Sequence, residues 1–208
     1  MTVLNSVCGE NLACIRGGRQ VFGDLSFRVN RGEALSLEGP NGSGKTSLLR
    51  LIGGLLPPSA GFVNLLTDKG QIREPEERAR LAAWLGHQNA LKPQLTPKET
   101  LAFFARFYGP RLGASAAIDA VVEVAGLSRI ADVPCQYLSA GQKRRLAIAR
   151  LELAGRPLWL LDEPFSSLDA SGKKVVRDMI GAHCASGGIA LVATHEPLDV
   201  ESRRLGLA

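Results

Sequence analysis

No apolar run in these 208 residues approaches the roughly 20 that a membrane-spanning helix needs, so any membrane role is expected to come through a partner. Residues Met1 to Glu10 lack a basic start followed by an apolar stretch, and no signal peptide is expected there. Cysteine is scarce and scattered. Cys8, Cys14, Cys135 and Cys184 form no C-x-x-C pair and no metal-like spacing, which favours reduced, buried thiols over a disulfide or a metal site. Repeats, low-complexity tracts and long linkers are also missing. What remains is a globular composition, 45% hydrophobic and 22% charged, in a length that suits one domain or one domain with a subdomain inserted. The formal charge of +5 is modest; it suits phosphates or anionic headgroups, and equally a plain solvated surface.

Strand and helix patterns alternate along the chain. Leu25 to Val29 alternates apolar and polar residues as a half-buried strand does. Arg31-Gly32 turns the chain into a short strand, Ala34 to Glu38. A glycine-rich stretch then opens a helix over Lys45 to Leu55, with Leu48, Leu49 and Ile52 at helical spacing. Thr96-Pro97-Lys98-Glu99 reads as a capping box with proline at the first helical position, and helix is expected from Thr96 to Ala125, its second part being Ala114 to Ala125. Ser139 to Gln142 repeats the box before a helix reaching about Ala154. Pro157 to Leu161 is a continuous apolar run, fit for a strand buried on both faces. Val175 to Cys184 reads as helix and Ile189 to Ala193 as a last buried strand. The alternation predicts an α/β fold around a mostly parallel sheet, and the run of helices between Gln88 and Pro157 predicts a helical insertion.

Two motifs carry chemistry. Gly39, Pro40, Asn41, Gly42, Ser43, Gly44, Lys45 and Thr46 fit G-x-x-x-x-G-K-[ST] in full, after a strand and before a helix. Glycines let backbone N–H groups approach phosphate oxygens, and the helix N-terminus adds partial positive charge. Lys45 would reach the terminal phosphates and the Thr46 hydroxyl would ligate Mg²⁺. The bland alternative is a chance match in a glycine-rich loop. The second motif is Leu158-Trp159-Leu160-Leu161-Asp162-Glu163, an apolar strand ending in two acids, where open α/β sheets bind ligands. Asp162 would hold Mg²⁺ and Glu163 would orient and deprotonate a water, though two acids after a buried strand also suit a plain helix cap.

With these in place the chain resembles the ATP-binding cassette family over nearly its whole length. Leu138, Ser139, Ala140, Gly141 and Gln142 are similar to that family's signature, with alanine at the commoner glycine's third position. The order of phosphate loop, Gln88, signature, Asp162-Glu163, Ser167-Leu168-Asp169 and His195 is also the family's. The resemblance implies one nucleotide-binding domain over 1–208 of the P-loop type. Its parts would be a mostly parallel core sheet, an N-terminal antiparallel β subdomain and a helical subdomain at about 89–155. It implies a head-to-tail dimer, in which the signature of one copy caps the γ-phosphate held by the other, and Asp169 communicates across the interface. It extends the nucleotide-binding set to Ser47. It gives Gln88 contacts with Mg²⁺, the attacking water and a membrane partner, where the plain alternative is a surface glutamine. It has His195 bond the γ-phosphate, while His87 and His183 read as structural. In one respect the sequence departs from the family: where an aromatic residue usually stacks on adenine, the alignment puts Arg16, whose flat guanidinium can also stack. Phe22 is a weaker substitute.

The flanking residues, including Thr194-His195-Glu196-Pro197-Leu198, resemble the branch of the family tied to bacterial cytochrome c maturation. That implies an ATP-hydrolysing subunit lying peripherally on the cytoplasmic face of the inner membrane. Its partners would be integral membrane permease subunits and, indirectly, a periplasmic haem chaperone. Haem binding by this chain itself is not expected: Cys135 and the histidines form no attachment pattern. Phe103, Phe104, Phe107 and Tyr108 either pack the helical subdomain or line a groove for the partner's helix. The chain stops soon after His195, so no regulatory C-terminal domain is expected. Two other readings stay open, the ATPase of a different importer or exporter and a soluble cassette ATPase acting on DNA or ribosomes. The second is disfavoured by a single phosphate loop and by the lack of sustained heptads between Thr46 and Leu138, and no nucleic-acid partner is expected.

Overall fold

A long antiparallel hairpin starts the chain, β1 (Leu4–Arg16) pairing with β2 (Arg19–Asn30). The computed structural model describes residues 2–108, 115–198 and 202–207. Gly17 and Gly18 form the hairpin tip with φ of 56° and 75°, a conformation that a two-residue turn requires and glycine adopts without strain. β1 also pairs antiparallel with β4 (Ala60–Thr67), and β4 with β5 (Gly70–Ile72), giving the order β2-β1-β4-β5.

The second sheet has the order β6-β7-β8-β3-β9, from β3 (Ala34–Glu38), β6 (Ala82–Leu85), β7 (Leu158–Asp162), β8 (Ile189–Ala193) and β9 (Ser202–Gly206). β3 runs parallel to both β8 and β9, and β7 runs parallel to β8. Every residue of β7 and β8 is buried, which is why both strands read as unbroken apolar runs rather than alternating ones. Helix α1 (Lys45–Ile52) lays Leu48, Leu49 and Ile52, all 0% exposed, into this core, each burial stabilising by about 1.5–3 kcal/mol. It stops at Ile52 rather than Leu55 because Gly53 and Gly54 follow, Gly54 at φ 76°. From α2 (Pro75–Leu81), the buried Arg78 guanidinium donates to the Leu51 and Ile52 carbonyls at 2.8 and 3.1 Å, satisfying the end of α1. These elements belong to one compact unit, Met1–Trp84, Arg156–Glu163 and Gly181–Ala208.

Within it, Trp159 of β7 is 1% exposed and stacks on His183, ring centroids 4.1 Å apart and planes 10° from parallel. Burial pushes the His183 imidazole down to about 4, against a weaker opposing effect of hydrogen bonds that the ring donates to the backbone of Ile189 and Pro157. All four cysteines are buried and unpaired.

The second unit, Leu85–Gly155 and Pro164–Ile180, is helical: α3 (Pro97–Tyr108), α4 (Ser115–Val124), α5 (Ala140–Ala154) and the start of α6 (Ala170–Ala185). α5 packs against α3 and α4, burying Leu101, Ala105, Val122, Leu146 and Ile148. The capping box at Thr96 forms, the Thr96 N–H donating to Glu99 at 2.9 Å and the Glu99 N–H to the Thr96 hydroxyl at 3.2 Å. Ala114 and the Tyr108 side chain lie outside the described residues.

Candidate functional site

The chain leaves β3 at Glu38, loops through residues 39–44 and enters α1 at Lys45. Gly44 caps the helix at φ 99°, and a Cβ there would fall 2.9 Å from the Phe22 ring, so the loop rests directly on Phe22. Pro40, Asn41 and Gly42 are exposed at the crest, and the first turn of α1 carries no acidic residue to oppose an anion. Lys45 is 8% exposed; its ammonium donates to the Gly39 and Pro40 carbonyls at 2.6 and 3.2 Å. Among the described residues the buried Ser43 hydroxyl has no hydrogen-bond partner, which suits donation to an acceptor such as a phosphate oxygen.

At the carboxyl end of β7 the Thr46 hydroxyl lies 3.0 Å from both oxygens of Asp162, itself 7% exposed. Glu163 follows at φ 49°, left-handed for a residue with a side chain, at a cost of about 1–2 kcal/mol. Its N–H donates to the Ala193 carbonyl at 2.9 Å. One Glu163 carboxylate oxygen lies 3.7 Å from His195 Nε2, and the same nitrogen lies 3.4 Å from Lys45 Nζ. An ammonium can only donate, so Nε2 accepts from Lys45. The buried Thr194 hydroxyl accepts the Glu196 N–H at 2.9 Å and pins the turn that presents His195. Lys45, Thr46, Asp162, Glu163 and His195, spread over some 150 positions of sequence, thus share one site.

Beside them opens a cleft of about 450 Å³, lined by Glu38, Gly39, Pro40, Thr194, His195 and Arg204. Arg204, 3.4 Å from Glu38, was not recognised from the sequence; it sits in a short Ser-Arg-Arg-Leu-Gly strand with no motif around it. Among the described residues no group of three His, Cys, Asp or Glu side chains could hold a metal. Thr46 and Asp162 instead offer two hard oxygen donors beside the phosphate loop. That set fits Mg²⁺, which takes few protein ligands and completes its shell with water and phosphate oxygens.

Arg16 is exposed at the hairpin tip. Burial raises the pKa of the nearby Cys14 thiol, while the Arg16 charge and a hydrogen bond from Ser47 oppose that rise. Arg16 and Ser47 therefore flank the same thiol, at the first turn of α1. Phe22, only 7% exposed beneath Gly44, is committed to supporting the loop and is not placed to stack on a base.

In the helical unit, Ser139 caps α5 in a reciprocal box. Its N–H donates to the Gln142 side chain at 2.8 Å, and the Gln142 N–H donates to the Ser139 hydroxyl oxygen at 3.2 Å. Leu138 is buried, whereas Ser139 and Ala140 are exposed. A Cβ on Gly141 would lie 2.9 Å from the Ser167 carbonyl oxygen. Asp169 caps α6, which therefore begins at Ala170 instead of Val175; its carboxylate accepts from the Gly172 N–H at 2.7 Å and the Ser171 hydroxyl at 3.0 Å, and these bonds hold its pKa below the usual range. Gln88 is exposed, as are Phe103 (48%) and Phe107 (76%) on α3, whereas Phe104 is half-buried. An apolar cavity of about 370 Å³ in this unit is lined by residues that include Leu91, Pro93, Cys135, Gln136 and Lys143.

A family model described as ABC transporter matches residues 22–166. The cytochrome c biogenesis ATP-binding export protein CcmA of Rhodopseudomonas palustris (strain BisB5) is 48% identical over 202 residues, 96% of this chain and 98% of that protein. The protein of the same name from Pseudomonas savastanoi pv. phaseolicola (strain 1448A / Race 6) is 46% identical over 188 residues, 90% of this chain and 87% of its own length. Among solved structures, the ATP binding subunit of an ABC transporter superposes with a TM-score of 0.77 at 27% identity, covering 91% of this chain and 79% of that one. A putative ABC transporter ATP-binding protein from Pyrococcus furiosus shares the fold with a TM-score of 0.84 at 20% identity, covering 97% of each chain.

Proposed function

Because this chain belongs to the ATP-binding cassette (ABC) transporter family, in the branch of the cytochrome c biogenesis ATP-binding export proteins, we propose that it powers a membrane complex for cytochrome c maturation, coupling ATP hydrolysis to haem export or to release of a haem-loaded periplasmic chaperone. The observation that carries the reading is identity of 48% over nearly the full length of a protein named for cytochrome c biogenesis and ATP-binding export. Members of the family are ATPases, and this chain is one.

In the proposed mechanism the backbone N–H groups of residues 41–44 and the Lys45 ammonium hold the triphosphate, Lys45 exchanging its loop carbonyls for phosphate oxygens. Ser47 extends that grip and Arg16 lies against the base. Thr46, Asp162 and Gln88 would hold Mg²⁺, which would supply positive charge to offset that of the phosphates. Glu163 takes the proton of the attacking water, a role worth about 10²–10⁴ in rate, and His195 donates to the γ-phosphate. A second copy of the chain completes the site. The exposed N-terminus of its α5, with the O–H of its Ser139 and the N–H of its Gly141, meets the γ-phosphate, and its Asp169 turn crosses the interface. Closure of that dimer on ATP and its opening after hydrolysis would move the permease.

The chain would reach the inner membrane from its cytoplasmic face as a peripheral subunit; among the described residues no helix is long and apolar enough to cross a membrane. The cavity near Leu91 and Pro93, with the exposed rings of Phe103 and Phe107, suits an apolar segment of the permease. Affinity purification of Glu163→Gln with ATP from native membranes tests the assignment. Co-purification of cytochrome c maturation subunits supports it. A different permease would keep the motor and discard haem, and ribosomes or DNA would overturn the membrane role.

A further inference from the structure

The helix that opens with the signature residues buries two arginines further along, Arg144 at 2% and Arg150 at 7% exposure. Buried guanidinium groups are poor stabilisers in general, because their desolvation offsets most of what their hydrogen bonds contribute. Here both reach one short segment. Arg144 Nη1 donates to the Gly86 carbonyl at 2.9 Å and to Asn89 Oδ1 at 3.0 Å. Arg150 Nη1 donates to the Asn89 carbonyl at 3.1 Å, its guanidinium 5.0 Å above the Phe104 ring. The residue after Asn89, Ala90, has φ 51°, a left-handed backbone that an alanine adopts only when its surroundings impose it. Gln88 sits between the two gripped residues, with its side chain exposed.

We propose that Asn89, held through both its side chain and its carbonyl, is the positioning residue that fixes Gln88 to α5. Movement of the signature helix is then transmitted to Gln88 of the same chain without slack. A phosphate engaging Ser139 and Gly141 at one end of α5 is felt at Gln88 through Arg144 and Arg150. This inference rests on the reading of Gln88 as the group that meets Mg²⁺ and the attacking water.

The test compares ATP hydrolysis by Asn89→Ala, Asn89→Asp, Gln88→Ala and the Gln88→Ala/Asn89→Ala double variant, each as the full chain purified with the membrane subunits that accompany it. Asn89→Ala removes one acceptor and leaves both carbonyl acceptors in place. It is expected to lower kcat about tenfold with KM for ATP within about twofold, since positioning acts on the transition state and not on ground-state binding. Asn89→Asp keeps an oxygen facing Arg144 and is expected within about threefold of the parent. The double variant is expected to be no slower than Gln88→Ala alone, the non-additivity of residues that act as one unit. Parental kcat in Asn89→Ala beside a slow Gln88→Ala, or losses that multiply in the double variant, overturns the proposal while sparing the role of Gln88. A parental rate in Gln88→Ala alone overturns that underlying role, and the proposal with it. If Asn89→Ala fails to fold, Arg144→Lys, which keeps the charge and loses the fork, carries the same kcat-only expectation, and a parental kcat there is equally fatal.

Discussion

Acidification from pH 7 to pH 5 is expected to destabilise this protein through one buried imidazole. His183 lies against Trp159, and burial holds its pKa at about 4, against 6.5 for an ordinary histidine. Between those values the unfolded chain binds a proton that the folded chain refuses. The stability tied to His183 is therefore complete above about pH 6.5 and falls as pH drops towards 4. Each pH unit in that window costs about 1.4 kcal/mol, so with the shoulder near 6.5 the loss from pH 7 to pH 5 comes to about 2 kcal/mol. In a chain of this size that corresponds to roughly 4–8 °C in Tm. Tryptophan fluorescence is a direct readout, because Trp159 is one of only two tryptophans. The comparison is His183→Phe, which keeps an aromatic ring on Trp159 and cannot titrate. Its absolute Tm is immaterial; the pH slope decides. The parent should lose about 4–8 °C more than the variant between pH 7 and pH 5. Parallel slopes would refute the argument, because every other titrating group is common to both proteins.

Three further outcomes follow from the nucleotide site. Lys45→Ala removes the ammonium that now bonds the Gly39 and Pro40 carbonyls, and calorimetry should show ATP binding weakened at least about tenfold; an unchanged Kd would count against the phosphate loop. Thr46→Ala removes the hydroxyl 3.0 Å from Asp162 and should raise the Mg²⁺ concentration for half-maximal hydrolysis about tenfold, with chelator abolishing activity in the parent; a parental Mg²⁺ curve would release Thr46 from that role. Arg16→Tyr should raise the preference for ATP over GTP at least about threefold in competition binding, through aromatic stacking worth about 0.5–1.5 kcal/mol; a constant ratio would remove Arg16 from the base.

The site was legible in the sequence wherever local chemistry repeats the global answer. Thr46 and Asp162 are 116 positions apart, yet each half announces itself, one by glycines between strand and helix, the other by acids closing an apolar strand. The buried strands β7 and β8 and the two capping boxes were legible for the same reason. β1 was not, because register shifts near Gly9, Leu12 and Cys14 break the alternation that marks a strand. β9 was hidden by its polar, largely exposed residues. The burial of Phe22 could not be read either, since it depends on what lies above it, and only the closeness of Gly44 reveals that. Arg144 and Arg150 carry no local sign of burial at all; their acceptors lie more than fifty positions away.

The approach of Ser167 to Gly141 bears on which substitutions the signature can tolerate. Ala140 places its methyl group in solvent on the first turn of α5, and nothing has to move. A methyl group one position later would strike the backbone of the Ser167 turn, which leads into the Asp169 cap of α6. Neighbouring positions of one short motif thus obey different rules. The alanine already present is a local matter, whereas an alanine at 141 would be a change to two helices at once, and the surface offered to a second subunit would shift well beyond the size of the atom added.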